Sequence, residues 1–98
     1  MGDLRFEWDS AKARLNLRKH RVAFEEAQTV FADEHALIID DPEHSADETR
    51  LVLLGMSTRL RILVVVHVYR MAPETIRIIS ARRATKAEWD TYAKRLQP

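Results

Sequence analysis

The chain has 98 residues, 46% of them hydrophobic and 32% charged, with a net charge of +1 at pH 7. That length bounds it to one domain, residues 1–98, with a thin core, and the apolar fraction excludes a disordered chain. The absence of cysteine excludes a disulfide framework and thiol chemistry and fits a reducing, cytoplasmic setting. No apolar run approaches the roughly 18 residues of a membrane span, and Met1–Glu7 lacks the apolar stretch of a signal peptide.

Leu4-Arg-Phe-Glu-Trp8 alternates apolar and polar residues, which predicts a short, half-buried edge strand. Asp9 offers an N-cap for a helix over Lys12–Lys19 whose apolar residues are Ala11, Leu15 and Leu17. Lys12, Arg14, Arg18 and Lys19 occupy its other faces. They read either as a solvated surface or as a phosphate-facing ridge. His20-Arg-Val-Ala23 breaks the pattern, and a second helix follows to Phe31, with Phe24, Ala27, Val30 and Phe31 on one core-facing side. Together the two predict an αα-hairpin.

Ala36-Leu-Ile-Ile-Asp40 predicts a strand, and the acidic Asp41–Glu48 a loop carrying His44, a candidate ligand or acid/base, although a lone loop histidine is more often a solvated side chain. No second His or Cys stands at metal-ligand spacing, so no metal site is expected. Thr49–Met56, Leu60–Tyr69 and Thr75–Arg82 predict three strands of an antiparallel meander joined by hairpin-length links, with Val64-Val-Val66 in the central one. Alternation places Arg61, Leu63, Val65, His67 and Tyr69 on one face of that strand. It also groups Arg77, Ile79, Ala81 and Arg83, which in matching register would share the face of His67. Thr85 and Glu88 stand at capping-box spacing, and Trp89, Tyr92, Ala93 and Leu96 form the apolar stripe of a core-facing C-terminal helix. The expected fold is a small α+β domain of order β-α-α-β-β-β-β-α, an antiparallel sheet packed by an N-terminal αα-hairpin, with a C-terminal helix.

With two glycines, the chain has no phosphate-cradling glycine-rich loop, and it carries no nucleophile elbow. Its chemistry-bearing residues are arginines near histidines and tyrosines. RNA cleavage needs a base for the 2′-hydroxyl, an acid for the leaving oxygen and cations for the phosphorane. His67 is a candidate proton carrier, and Arg70, Arg77, Arg82 and Arg83 are candidate phosphate ligands. The same residues also read as a packed histidine and as solvated or carboxylate-paired arginines.

Phe6-Glu-Trp-Asp9, Lys12, Asn16, Lys19-His20, Val22, Phe24 and Glu26-Ala27 resemble the opening motif of the BrnT toxin family. Asp41 to His44, Glu48-Thr-Arg50, Gly55-Met-Ser57, Val66-His-Val-Tyr-Arg70, Arg77 to Thr85, Glu88 and Tyr92 extend the likeness over residues 4 to 93. The resemblance implies a RelE-like ribonuclease, the toxin of a bacterial type II toxin–antitoxin module, that cleaves RNA to arrest translation and growth; the acid, base and cation chemistry above requires no metal or cofactor. It implies neutralisation by a BrnA-type ribbon-helix-helix antitoxin in a heterotetramer or larger complex that meets operator DNA only through the antitoxin. It points to His67, Arg70 and Arg82 as the catalytic set, with acid and base unassigned; Lys12, Lys19 and His20 match its first motif, which serves RNA contact or else packing or partner contact, and with Arg77 and Arg83 they complete the expected RNA-binding set. Trp89 stands where the family is usually polar or basic, and Met71-Ala-Pro73 lengthens a turn that is often tighter. These departures bear on RNA contact and on the placing of Arg70. The alternative from another class is an idle homologue that binds the antitoxin and tunes repression of its operon.

Overall fold

The structure, a computed structural model, describes residues 4–40, 49–71 and 73–97; the acidic stretch with His44 lies outside them. The elements are β1 (Arg5–Glu7), α1 (Ser10–His20), α2 (Phe24–Thr29) with a 3₁₀ turn (Val30–Ala32), β2 (Leu37–Ile39), β3 (Arg50–Met56), β4 (Ile62–Met71), β5 (Glu74–Arg83) and α3 (Lys86–Arg95). This is the order that the periodicities predict. The strands form one five-stranded sheet, β1-β5-β4-β3-β2, with β4 at its centre. Leu63, Val64 and Val65 are buried on both faces there, as an unbroken apolar run requires.

Two details differ from expectation. The sheet is mixed, because β1 pairs with β5 in parallel, Phe6 opposite Ile76. No hairpin joins these two strands, so nothing local sets their relative direction. Second, β4 and β5 run further than their apolar patterns: Met71 pairs with Glu74, leaving only residues 72 and 73 between them.

Two apolar layers flank the sheet. On one face Val22, Phe24, Ala27 and Val30 of the helical hairpin pack on Leu53, Leu63, Val65, Ile78 and Ala81. On the other, Tyr92 of α3 packs with Val52, Leu54, Val64 and Val66. Gly55 lets the hairpin side close on β3. A Cβ there would lie 2.8 Å from both Ala36 Cβ and Val30 Cγ1, closer than carbon atoms pack.

Polar clasps fix these layers. Buried Glu26 accepts hydrogen bonds from Ser57 Oγ (2.7 Å) and from both ends of the Arg61 guanidinium, which also donates to the Arg21 carbonyl (3.0 Å). The Arg61 bonds hold the Glu26 carboxyl below its usual range against the cost of burial. Asp33 accepts from the Met56 amide (2.8 Å), the His35 amide (3.0 Å) and the Tyr92 hydroxyl (2.6 Å), so one carboxylate ties the hairpin, β3 and α3 together.

α3 starts on the expected capping box: the Glu88 amide donates to Thr85 Oγ1 (3.2 Å) and the Thr85 amide to Glu88 Oε1 (2.8 Å). Its stripe is narrower than the sequence implies. Tyr92 is 2% exposed, but Trp89 is 51% and Leu96 48% exposed, because both lie to one side of the line that meets the sheet. A similar correction applies to α1, whose buried residue is Asn16, while Leu15 and Leu17 are exposed.

Candidate nucleic-acid interface

A bulge in β5 decides which cations meet. Between the pairs Val66–Ser80 and His67–Ile78 the register shifts by one residue, leaving Ile79 extra. Before the bulge Arg77 pairs with Val68, and after it Ala81 pairs with Val65 and Arg82 with Val64. Cross-strand partners share a face, so Arg77 and Arg82 both lie on the α3 face, and Ala81 and Arg83 on the hairpin face. The expected grouping of Arg77 with Ala81 and Arg83 is therefore overturned, and Arg77 does not share the face of His67.

Beyond Arg77, α1 takes the place of β1 along the edge of β5. The Asn16 amide nitrogen donates to the carbonyls of Ala81 (2.8 Å) and Val22 (2.9 Å), and its oxygen accepts from the Ala81 amide (3.1 Å). One side chain thus replaces a strand's hydrogen bonding at Ala81 and fixes the helix rotation. Lys12, Lys19 and His20 are turned by that rotation toward Ile79 and Ser80, and together they line an open groove of about 400 Å³.

His20 is half-buried at this groove. Its pKa is lowered by burial, then by the charges of Lys19 and Arg82, so the ring is neutral near pH 7. Arg82 acts on the ring through its charge and is not itself among the residues lining the groove. Arg82 is held in a two-pronged ion pair, Nη1 to Glu88 Oε1 at 2.8 Å and Nη2 to Oε2 at 2.9 Å. Those bonds, with the Thr85 amide, push the Glu88 pKa down to about 2. The helix cap thereby also orients an arginine.

Further along the α3 face, Glu7 of β1 accepts from Arg77 Nη1 (2.9 Å) and from Arg70 Nη2, which brings Arg70 and Arg77 together. Arg82 lies five positions beyond Arg77 along extended chain, roughly 16 Å. The sheet face thus carries cations at both ends of a strip floored by half-buried Val68 and Ile79.

His67 stands apart from this strip. It lies on the hairpin face, 3% exposed, with its ring edge-on to Phe31 at 4.8 Å and Nδ1 3.1 Å from the Val65 carbonyl oxygen. Burial lowers its pKa against that hydrogen bond. The sheet separates it from Arg70 and Arg82, so the three residues of the expected catalytic set do not converge. Arg83 is on the hairpin face as well, exposed at the strand's end. Of the expected RNA-binding residues, Lys12, Lys19 and His20 come together in one groove, and Arg77 meets Arg70 through Glu7.

Residues 8–88 match the model of the ribonuclease toxin BrnT of type II toxin–antitoxin systems. The chain belongs to that family. No curated protein matches it. Among solved structures it is similar to the 1.1 Å crystal structure of the Brucella abortus ribonuclease toxin BrnT, at 22% identity and a TM-score of 0.66 over 86% of this chain and 100% of that one. At that identity the likeness carries the fold, a BrnT-like mixed sheet between a helical hairpin and a C-terminal helix. Membership of a toxin–antitoxin family implies an antitoxin partner. Among the described residues, no helix is long and apolar enough to cross a membrane, and no three His, Asp or Glu side chains group as a metal site would.

Three residues of this candidate site are absent from the expected set. Glu7 and Glu88 orient the arginines, and Asn16 sets the rotation of α1. Glu88 was legible as a helix cap and a motif position, and Asn16 and Glu7 only as motif positions.

Proposed function

We propose that this toxin cleaves RNA by metal-free transesterification in the groove between α1 and β5. The observation that carries the reading is the meeting of His20 with Lys12 and Lys19 in one groove, where the charge of Arg82 also acts on the ring. His20 takes the proton of a 2′-hydroxyl as its oxygen bonds to phosphorus. Arg82 and the lysines offset the charge gathered on the phosphorane. The bond to the 5′-oxygen then breaks, and that oxygen takes a proton from solvent or from the ammonium groups lining the groove. Arg70 and Arg77 bind a neighbouring phosphate, and His67 supports the sheet by packing. The products carry 2′,3′-cyclic phosphates, and cleavage survives a chelator. A BrnA-type antitoxin neutralises the toxin by covering this basic face, in the cytoplasm.

A second reading, an idle homologue that co-regulates its operon through the antitoxin, draws on one observation. Arg70, Arg77 and Arg82 already hold carboxylates, as arginines serving structure do. Arg82→Ala separates the two. A folded variant whose cleavage of RNA falls about 10²–10³-fold supports the enzyme, with Arg82→Lys restoring little because a point charge does not reproduce the guanidinium fork. Wild-type protein that leaves RNA intact and halts no growth supports the co-regulator. Strict dependence on a divalent cation would overturn the metal-free step.

A further inference from the structure

We infer that Trp89 is the stacking platform for an unpaired base of the RNA, adjacent to the phosphate that Arg82 holds; this rests on the ribonuclease reading above. Trp89 is one of two tryptophans. The other, Trp8, is packed edge-on against Phe24 at 5.9 Å, whereas Trp89 presents half its surface to solvent. Its position on α3 is fixed by its neighbours. Tyr92 points into the sheet, and at about 100° per residue Trp89 and Leu96 fall about 60° and 40° to one side of it, with Glu88 and Arg95 at similar angles on the other. Arg95 donates to the His35 carbonyl (3.0 Å), beside the Asp33 carboxylate that holds Tyr92, so that side faces the base of the sheet. Trp89 and Leu96 therefore lean over the part of the α3 face that the helix leaves open, toward Val68, Ile79, Arg70 and Arg77.

The surroundings select the occupant. An indole face stacks on any base, and cations on either side of the floor match the phosphates that flank it. Arg82 and the α1 groove lie on one side and Arg70 with Arg77 on the other. A duplex keeps its bases stacked inside and offers none to the indole, so the ligand is single-stranded RNA. Glu88, next to Trp89 in the chain, holds Arg82, so the base and the phosphate of one nucleotide are read from adjacent positions of one helix.

The test uses the full chain carrying Trp8→Phe, so that emission reports Trp89, and a short single-stranded RNA made uncleavable by 2′-O-methyl groups. The expected result is quenching of Trp89 on binding, about tenfold or more loss of affinity in Trp89→Ala, partial retention in Trp89→Phe, and no such difference with duplex RNA. Unchanged single-strand affinity in Trp89→Ala, while Arg82→Ala weakens it, removes Trp89 from the site and leaves the ribonuclease reading standing. Equal quenching by duplex overturns the stacking role, as does quenching by a co-purified antitoxin with none by RNA. If Arg82→Ala and His20→Gln both bind and cleave like wild type, the ribonuclease reading itself fails.

Discussion

Two histidines divide the work at the residue scale. His20 is at a cationic groove and His67 inside the sheet's hairpin face, and both are held neutral by burial, with neighbouring charge adding to the effect only at His20. For stability the sign follows from proton counting. The unfolded chain takes up a proton at the ordinary histidine value of about 6.5, while the folded chain resists it, so stability falls as the pH drops below about 6.5 and levels off beneath the lowered folded values. Glu88 acts in a lower window: its contribution is present above the ordinary 4.5 and is lost as the pH falls toward about 2. Acid should therefore erode stability in two windows, the histidines in the upper and Glu88, with Glu26 and Asp33, in the lower. In a denaturant series across pH, His67→Phe with His20→Gln should flatten the upper window and spare the lower; an unaltered upper window would assign it to other groups. For cleavage, a base that is neutral near pH 7 gives a rate that rises through the lowered His20 pKa and is flat above it, and His20→Gln should remove that limb.

At the element scale the helices are held by single polar side chains as much as by apolar stripes. α1 buries no leucine, and its anchor is Asn16. Asn16→Leu leaves the Ala81 amide and carbonyl without their partner, and each unsatisfied buried group costs about 1–3 kcal/mol. That is a large share of the roughly 5–15 kcal/mol by which a domain is stable. α3 is anchored by Tyr92. Tyr92→Ala should cost about 3–5 kcal/mol, whereas Trp89→Ala should cost far less because half of the indole is already in water. Equal unfolding midpoints for the two variants would refute this division. Gly55→Ala should destabilise by about 1–3 kcal/mol through overpacking, since Val30 and Ala36 both stand against the added methyl.

The whole molecule has a thin core between two partial layers and leaves large apolar side chains exposed, Leu15, Ile38, Leu60 and Met71 among them. A family with an antitoxin partner offers cover for such surface and for the cationic strip. The complex should bury about 1,200–2,000 Å² in total and raise the apparent stability of the toxin by mass action. Co-purified toxin and antitoxin should elute as one species at micromolar concentration and be inert toward RNA. Separate elution, or cleavage by the intact complex, would contradict antitoxin cover of the groove.

The sequence by itself determined the features that short-range pattern sets without reference to a partner. The order of elements, the central place of Val64–Val66, the αα-hairpin and the Thr85–Glu88 cap follow from periodicity and spacing, and Lys12–His20 and Arg77–Arg83 were visible as cationic stretches. Which of those cations meet was decided by tertiary structure. The bulge opposite Val66 and His67 turns Arg77 away from the face of His67, because one extra residue reverses every later side chain in a strand. The amide of Asn16 reaches 65 positions along the chain to Ala81 and sets which side of α1 looks at β5. The parallel pairing of β1 brings Glu7 between Arg70 and Arg77. The line along which α3 meets the sheet passes through Tyr92 and leaves Trp89 in solvent. Each of these depends on a contact between segments distant in sequence, and a pattern of period two or 3.6 carries no information about the partner it will meet.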